Sequence, residues 1–455
     1  MVTIEMGGLV KVPLSCLDSQ LVIKKLTYKS YFKDRTGKKK HIKLYNIDQD
    51  FIYVPREWAR KNLPQLIKDK IFCVNTWKDE TINFGYTKLP DPYHPSVLDK
   101  ENQKTFMDDM LHKAKQYKNI LCVAKTGSGK TMVALRTVAL LSKPTLVLVN
   151  TNALKEQWFE RIEQALGIEK KDVGVIQASK LNYKNKSITI GLLQTFAKKK
   201  LPQEVYDYFS IIVIDECHNL STEFFSQVVP MFRAKYRIGL SATPKRKDGS
   251  DRVLYDHIGK PRVVADTKIM DCDVIVKPLT IFNKWGKTEE ARISCYIRSN
   301  TRNKFLADTI VDMYNDKRKI LAISLSVDHL DKIYDLLIKK IPPEEISYYT
   351  GTINVGGKRK KMTPEQHKET EKKQIILATY GIFKEAVDIP ALDAGIELTP
   401  TYKGNQLIGR VRRYVEGKKK PYWVSIYDTN CKFSDKMYHS RYAEWIQAGA
   451  NVINS

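Results

Sequence analysis

The sequence predicts an α/β protein with two tandem parallel-sheet domains that follow a small β-rich N-terminal domain. Short apolar runs alternate with helical segments from about residue 95, and a second series of this kind begins near residue 319. Such alternation is typical of βαβ units and a parallel sheet. A chain of 455 residues can hold two or three domains of about 100–200 residues each. We expect these domains at 1–92, 93–266 and 267–455.

The N-terminal domain is expected to consist mainly of strands. LTYKSYF (26–32) and HIKLYNI (41–47) flank the turn DRTGKKK, which indicates a hairpin. Pro55 follows a short strand and is expected to open a helix, and IFCVNTW (71–77) reads as a further strand. KLPDPYHP (88–95) carries three prolines in eight residues, so a linker is predicted there.

The strands of the two α/β domains are predicted from apolar runs whose length suits buried strands. In the first domain they are ILCVA (120–124), TLVLVN (145–150), ITIGLL (188–193), IIVID (211–215) and YRIGLSA (236–242). In the second domain they are KILAISLS (319–326), QIILATY (374–380), GIEL (395–398) and YWVSIYD (422–428).

The composition favours a polyanionic partner. The 77 Lys and Arg outnumber the 51 Asp and Glu, and the formal net charge is +26. Nucleic acid fits better than a membrane, because no stretch is long and apolar enough to span a bilayer. The N-terminus lacks a signal-peptide pattern, and the seven cysteines are scattered without a CxxC pair. We therefore expect a cytoplasmic protein with reduced thiols.

ILCVAKTGSGKTM has the order strand, glycine-rich loop, helix that is typical of a phosphate-binding loop. The glycines let backbone N–H groups approach phosphate, and Lys130 is expected to reach the β- and γ-phosphates. Thr131 would offer its hydroxyl to Mg²⁺. The predicted loop residues are Thr126, Gly127, Ser128, Gly129, Lys130 and Thr131.

IIVIDECHNLS (211–221) supplies two carboxylates at the end of a buried strand. Ligands of parallel sheets bind at this edge. Asp215 is expected to hold the Mg²⁺ shell, and Glu216 to orient or deprotonate the attacking water. An exposed acidic turn is the alternative interpretation, and the nearby phosphate loop makes it the weaker one. Cys217 is expected to serve packing.

Four motifs in this order resemble those of superfamily 2 helicases, over about residues 95–430. They are AKTGSGKT (124–131), DECH (215–218), SATP (241–244) and QLIGRVRR (406–413). TPKRKDG (243–249) and SNTRNKFLADTIVDMY (299–314) further resemble the DNA translocases of this superfamily, with the UvsW-type phage branch-migration helicases as the nearest group. The resemblance implies two RecA-like domains that bind ATP and Mg²⁺ and hydrolyse ATP as the cleft between them closes.

The resemblance also implies roles for weaker matches. Gln103 stands where the family reads adenine, and Ser241 and Thr243 stand where it couples the γ-phosphate to strand binding. Asp388 belongs to a nucleotide-side motif, EAVD (385–388), in which Ala386 replaces the usual glycine. The implied nucleic-acid contacts are Thr151, Gln194, Thr195 and Thr379.

QLIGRVRR is predicted to start a helix. At about 100° per residue, Gln406, Gly409, Arg410 and Arg413 fall on one face. With a phosphate loop present, Arg410 and Arg413 are expected to stabilise charge on the γ-phosphoryl group. Gly409 would permit close approach, and Gln406 would sense the nucleotide or water. Arg412 points elsewhere and is left for salt bridges or DNA.

The leading hypothesis is an ATP-driven DNA translocase, monomeric on DNA, that remodels forks, D-loops or Holliday-type junctions with 3′→5′ polarity. An RNA helicase and a nucleotide-regulated binding module without hydrolysis are the alternatives. Most lysine runs are expected to be solvated loops. Lys38, Lys39 and Lys40 are the exception, because a basic hairpin can contact a duplex arm.

Overall fold

The computed structural model describes residues 1–33, 39–86, 100–124, 128–217, 227–242, 251–265, 270–280, 288–355, 358–381, 389–402, 404–429 and 432–454. The chain divides into two compact units. The first comprises Met1–His94 with Asp99–Thr267, and the second comprises Pro95–Leu98 with Lys268–Ser455. Each unit contains a large sheet of parallel strands flanked by helices, which confirms the predicted α/β class.

The first unit begins with a small, mostly antiparallel sheet. Its elements are β1 (Val2–Met6), β2 (Val10–Pro13), α1 (Ser19–Lys25), β3 (Thr27–Lys33), β4 (Lys39–Lys43), β5 (Asn46–Ile47), β6 (Phe51–Val54), α2 (Arg56–Leu66) and β7 (Ile71–Asn75). Five strands pair in the order β5-β6-β2-β1-β7, and β3 pairs with β4 as the predicted hairpin. Pro55 caps α2, since its φ of −61° suits a helix start.

An eight-stranded sheet forms the centre of the first unit. Its elements are α3 (Lys100–Tyr117), β8 (Asn119–Ala124), α4 (Lys130–Leu141), β9 (Thr145–Val149), α5 (Asn152–Leu166), β10 (Gly174–Gln177), β11 (Lys180–Asn182), β12 (Ile188–Leu192), α6 (Leu193–Lys198), α7 (Gln203–Tyr208), β13 (Ile211–Ile214), β14 (Tyr236–Ser241), α8 (Asp251–His257) and β15 (Pro261–Ala265). The strand order is β11-β10-β12-β9-β13-β14-β8-β15, and only β11 is antiparallel to its neighbour.

Buried polar groups join the N-terminal sheet to the large sheet. Arg237 on β14 donates a hydrogen bond to the carbonyl of Gly8, and Arg262 on β15 lies 2.7 Å from Glu57 on α2. A Cβ added at Gly8 would lie 2.0 Å from the Pro230 carbonyl oxygen, so only glycine fits there. The N-terminal sheet and α2 therefore pack closely on the large sheet, and the separation of residues 1–92 as a distinct domain stays a prediction.

The second unit contains an all-parallel seven-stranded sheet in the order β18-β21-β17-β22-β23-β16-β24. Its elements are β16 (Asp273–Leu279), α9 (Glu289–Arg298), α10 (Asn300–Asn315), β17 (Ile320–Ser324), α11 (Val327–Leu337), β18 (Ile346–Tyr349), β19 (Thr352–Val355), β20 (Lys358–Lys361), α12 (Pro364–Lys372), β21 (Ile375–Thr379), β22 (Ala394–Glu397), α13 (Asn405–Val411), β23 (Tyr422–Asp428), α14 (Lys432–Gln447) and β24 (Asn451–Asn454). β19 and β20 form a separate hairpin.

Every strand predicted for the two α/β domains is present, because each is a continuous apolar run that the sheet buries. The unpredicted strands include β15 and β24, whose partly exposed edges carry mixed polar and apolar residues. Within the described ranges, we find no helix that is long and apolar enough to cross a membrane.

Candidate nucleotide-binding site

The glycine-rich loop leads from β8 into α4, as predicted. Gly129 adopts φ of +79°, a left-handed conformation that glycine accepts without strain, and α4 begins at Lys130. The Lys130 ammonium donates to the Ala124 carbonyl at 2.8 Å. Thr126 and Gly127 lie outside the described residues. The exposed N–H groups at the start of α4 suit an anion.

Ser128 gives direct support for a ligand at this loop. Its side chain is buried, and its Oγ has no hydrogen-bond partner among the residues that the structure describes. Burying a hydroxyl without a partner costs about 1–3 kcal/mol. A phosphate oxygen accepted into the loop would satisfy this hydroxyl, so the loop fits the phosphates of a nucleotide.

The two acidic residues follow β13 at the carboxyl edge of the sheet. Asp215 is 7% exposed, and its Oδ1 accepts from the Glu216 backbone amide at 3.0 Å. Burial, and next the charge of Glu216, raise the pKa of the Asp215 carboxyl. Glu216 has φ of +45°, a left-handed conformation that is costly for a residue with a Cβ. Such strain occurs at functional sites, where the surrounding structure maintains it.

Trp158 is a member of this site to which sequence reasoning gave no role. Its indole Nε1 donates to Asp215 Oδ2 at 2.8 Å, and the ring is fully buried on α5. The apolar periodicity of α5 could identify Trp158 as buried, but it could not identify the carboxylate it meets. The indole holds one oxygen of Asp215 and opposes the rise in its pKa.

Ser241 ends β14, the strand between β13 and β8. It pairs in register with Val123 of β8 and is fully buried. Ser241 therefore lies at the edge that carries both the phosphate loop and the acidic pair. Thr243 lies outside the described residues.

The implied nucleic-acid contacts in the first unit all make local hydrogen bonds. Thr151 caps α5 by accepting from the Leu154 amide at 3.3 Å, and Thr195 accepts from the Ala178 amide at 3.2 Å. Gln194 donates to the Asn150 side chain at 2.7 Å. These contacts fix the loops that follow β9 and β12, and a role in strand binding stays a prediction. In the second unit, Thr379 ends β21.

The predicted helix of QLIGRVRR is shorter than expected. α13 ends at Val411 and includes Arg410 and Gly409, whereas Arg413 lies two residues beyond its end. The helical spacing that placed Arg413 on the face of Gln406 was therefore wrong. A Cβ added at Gly409 would meet none of the described atoms within 4 Å, so packing within the unit does not require glycine there.

Arg412 corrects a second expectation. It is buried, and its guanidinium donates to the Met270 carbonyl at 3.0 Å and to the Ala448 carbonyl at 2.6 Å. Burial lowers the pKa of this guanidinium. Arg412 therefore anchors the end of α13 to two backbone segments, a role that the sequence did not predict.

The remaining predicted residues are located only in part. Gln103 lies in α3 and Gln406 in α13, but their side chains are outside the described part of the chain. Lys39 and Lys40 begin β4 and so belong to the hairpin strand, with side chains that are also not described. Lys38 and Asp388, with the rest of EAVD, lie outside the described residues.

Comparisons with known proteins agree with this geometry. The family described as Type III restriction enzyme, res subunit, matches residues 97–246. L396 of Acanthamoeba polyphaga mimivirus, named as an ATP-dependent RNA helicase, is 26% identical over 416 residues, which cover 88% of this chain and 75% of that protein. The DNA 3′-5′ translocase XPB2 of Sulfurisphaera tokodaii is 33% identical over 156 residues, which cover 34% of each protein.

Solved structures share the fold. The ATP-dependent Type ISP restriction-modification enzyme LlaBIII, bound to DNA, aligns over 84% of this chain and 33% of its own at 15% identity and a TM-score of 0.53. Phage T4 UvsW aligns over 100% of this chain and 99% of its own at 15% identity, with a TM-score of 0.42. The family match over residues 97–246, the similarity to L396 and XPB2 and the placement of the motifs at one sheet edge support an ATP-hydrolysing helicase of the superfamily 2 type.

Proposed function

We propose that the chain is an ATP-driven DNA translocase that remodels branched DNA with 3′→5′ polarity and acts as a monomer. ATP hydrolysis is supported by the strained backbone of Glu216 beside Asp215, on the sheet edge that also bears the GSGKT loop. The net charge of +26 supports a polyanionic track. The similarity to XPB2, a DNA 3′-5′ translocase, supports DNA and the polarity.

The phosphates of ATP would lie on the loop before α4. Backbone N–H groups of the loop, the Lys130 ammonium and the Ser128 hydroxyl are the donors available to them. Lys130 would exchange its present acceptor, the Ala124 carbonyl, for the β- and γ-phosphates. The adenine would be read by Gln103.

The donor set suits Mg²⁺, which prefers oxygen ligands. Thr131 would provide a hydroxyl and Asp215 a carboxylate, while Trp158 keeps the Asp215 carboxylate in place from the other side. When bound, Mg²⁺ neutralises charge on the phosphates. A nearby cation also favours the ionised form of Asp215, against the effect of burial on its pKa.

Glu216 is the proposed base that orients or deprotonates the attacking water. Its backbone amide is tied to Asp215, and its left-handed backbone directs the side chain differently from a residue in an extended strand. The pair thus separates two tasks, with Asp215 for the cation and Glu216 for water.

The second unit would complete the site when the two units close on ATP. Arg410 and Arg413 would stabilise charge on the transferring γ-phosphoryl group, an effect of order 10³–10⁵ in rate where arginine fingers act. Gln406 would sense the nucleotide, Gly409 would allow close approach, and Asp388 would contribute from its own loop. Closure and reopening would move the units along the strand.

Nucleic acid would contact both units mainly through its phosphates. Ser241 and Thr243 would couple the γ-phosphate to this surface, because Ser241 ends the strand between the two nucleotide motifs. Lys38, Lys39 and Lys40 would contact a duplex arm from the hairpin of β3 and β4. The proposed strand contacts are Thr151, Gln194, Thr195 and Thr379.

The choice of polymer is tested by phosphate release in the presence of a Holliday junction, a fork, a partial duplex and single-stranded RNA. We expect branched DNA to stimulate release most and to be processed in an ATP-dependent manner. Stronger stimulation by RNA would replace this proposal with the second candidate, an RNA helicase. That candidate is favoured by L396, which is named as an RNA helicase and is similar over 88% of this chain.

The hairpin is tested by reversing the charge of Lys38, Lys39 and Lys40 to Glu. Junction binding should weaken and its dependence on salt should become shallower, while basal ATP hydrolysis remains, because lost phosphate contacts release fewer counterions. Reversal of Lys24 and Lys25, exposed at the end of α1 directly before the hairpin, is the matched control. Equal loss of binding and hydrolysis would show that the hairpin supports the fold instead.

A further inference from the structure

Lys418 differs from the other lysines of its run, GKKK (417–420), which we expected to be a solvated loop. Its ammonium donates to three backbone carbonyls, those of Pro390 at 2.9 Å, Val411 at 2.8 Å and Arg413 at 2.9 Å. An ammonium has three N–H donors, so this arrangement can use all of them. The Lys418 side chain therefore makes defined contacts within the second unit.

The three carbonyls belong to segments with different proposed tasks. Val411 is the last residue of α13, and Arg413 lies in the loop that follows. Pro390 follows Asp388 by two residues in the sequence. One side chain thus fastens the backbone at Pro390 to the segment that carries Arg413, although 23 residues separate Pro390 from Arg413 in the sequence.

The loop from Val411 to Lys418 closes on itself. The Lys418 backbone amide donates to the Val415 carbonyl at 3.1 Å, and Gly417 adopts φ of +73°, which permits this tight turn. Arg412 is anchored separately to Met270 and Ala448. The backbone of Arg413 is therefore held from the preceding residue and from its own carbonyl.

The surroundings of Lys418 show that this contact is not a surface coincidence. Burial lowers the pKa of the Lys418 ammonium to about 8, an effect that the Asp393 carboxylate opposes and the Arg413 guanidinium reinforces. A partly buried ammonium loses part of its hydration, and hydrogen bonds can compensate for that loss. Here the three carbonyls supply that compensation.

We infer that Lys418 is a positioning residue for ATP hydrolysis: it holds the Arg413 backbone in place and joins it to the backbone at Pro390. The inference rests on the role proposed for Arg413. Displacement of a catalytic group by about 1 Å can cost about 100-fold in rate, so loss of this clamp is expected to reduce turnover more than binding.

The test compares Lys418→Met with the matched control Lys419→Met, because Lys419 is exposed and its ammonium contacts only Asp316 in the described residues. Hydrogen exchange without nucleotide is the first readout. In Lys418→Met the amides of Leu392 and of residue 418, both hydrogen-bonded in turns, should exchange at least ~10-fold faster. The control should leave them unchanged, and unchanged exchange in Lys418→Met would overturn the clamp.

Kinetics provide the second readout. Lys418→Met should lower the kcat of nucleic-acid-stimulated hydrolysis by about 10- to 100-fold with little change in KM for ATP. Combined with Arg413→Ala, it should add almost nothing, because both changes remove the same arginine contact. The positioning role would be overturned by an unchanged kcat, by a rise in KM as large as the fall in kcat, or by effects of Lys418→Met and Arg413→Ala that add in full.

A wild-type chain that releases no phosphate would refute the proposed function, whereas the exchange measurement would still decide the clamp. Lys418→Arg separates shape from charge. A planar guanidinium cannot direct three N–H groups as an ammonium does, so we expect only partial rescue of exchange and kcat. If Lys418→Met does not fold, amides throughout the protein will exchange fast. Lys418→Arg then becomes the test of the inference. Wild-type exchange rates and a wild-type kcat in Lys418→Arg would contradict it.

Discussion

The carboxyl edges of the two parallel sheets use their acidic residues differently. In the first unit, Asp215 accepts hydrogen bonds from an indole and a backbone amide at 2.8 and 3.0 Å. In the second unit, Asp428 at the end of β23 lies 3.1 Å from Arg302, and Glu397 at the end of β22 lies 3.0 Å from Arg441. All four members of these two pairs are buried.

This difference indicates a division of labour between related sheets. Buried guanidinium groups compensate the carboxylates of the second unit, so those acids are committed to holding helices α10 and α14 against the sheet. Asp215 of the first unit is held by neutral donors instead, and it lies at the edge that bears the phosphate loop. The first edge is therefore the candidate for ligand binding, whereas the second edge provides a rigid support.

The largest effect is expected from Glu216→Gln, which keeps the size of the side chain and removes the proposed base. ATP and nucleic acid should still bind, and kcat should fall by about 10²–10⁴-fold, as for loss of a general base. Single-turnover phosphate release measures this change. Glu397→Gln, the corresponding change at the other edge, should alter stability instead. Comparable losses of kcat in both variants would break the comparison.

Arg302→Met tests the structural edge. It leaves Asp428 buried without its cation, and such a change costs about 3–5 kcal/mol of unfolding free energy. Urea unfolding of the second unit provides the measurement. The double change Arg302→Met with Asp428→Leu should recover part of the loss, since it removes the uncompensated charge. A loss below ~1 kcal/mol in the single variant would contradict the assigned role.

Trp158→Phe should have a smaller effect, confined to the first edge. The ring is retained but the donor to Asp215 is lost, at a cost of about 1–3 kcal/mol for the unsatisfied carboxylate. The pKa of Asp215 should rise further, so half-maximal hydrolysis should need roughly tenfold more Mg²⁺. A Mg²⁺ titration of phosphate release measures the shift. Trp423→Phe, on β23 of the second unit, is the control and should leave the Mg²⁺ requirement unchanged.

Acid should weaken both units, and His257 contributes to this loss in the first unit. Burial, then the charge of Arg237, lower its pKa to about 3. The unfolded chain binds this proton below pH ~6.5 whereas the folded chain does not, so stability falls as pH decreases from about 6.5 towards 3. The slope is about 1.4 kcal/mol per pH unit for this group.

His257→Gln should remove this slope from the first unit, as followed by urea unfolding between pH 7 and 5. His329 in the second unit also has a pKa lowered to about 3 by burial and is bonded to Ser324 and Asn303. It should keep its own slope in that variant. An unchanged slope in the first unit would show that His257 is protonated there.

The fold and the centre of the site could be predicted because their signals are local. Buried strands such as IIVI and TLVLV are continuous apolar runs, and the GSGKT loop needs its glycine, lysine and hydroxyl at fixed spacing. The placement of Asp215 and Lys130 on one sheet edge then follows from parallel topology.

The failures concern side chains whose partners are distant in the sequence. Helical periodicity placed Arg413 on a face of α13, but no local signal showed that the helix ends at Val411. Arg412 and Lys418 were treated as surface cations, although each binds backbone carbonyls from other segments. Carbonyl acceptors exist at every residue, so the sequence carries no pattern that identifies them.

The most direct test of the account is phosphate release by the full chain while nucleic acid is added, with Lys130→Ala measured in parallel. We predict that release increases with nucleic acid until it saturates, and that Lys130→Ala releases none. Release that nucleic acid does not alter, or that survives in Lys130→Ala, would contradict the claim that the edge of the first sheet hydrolyses ATP in response to nucleic acid.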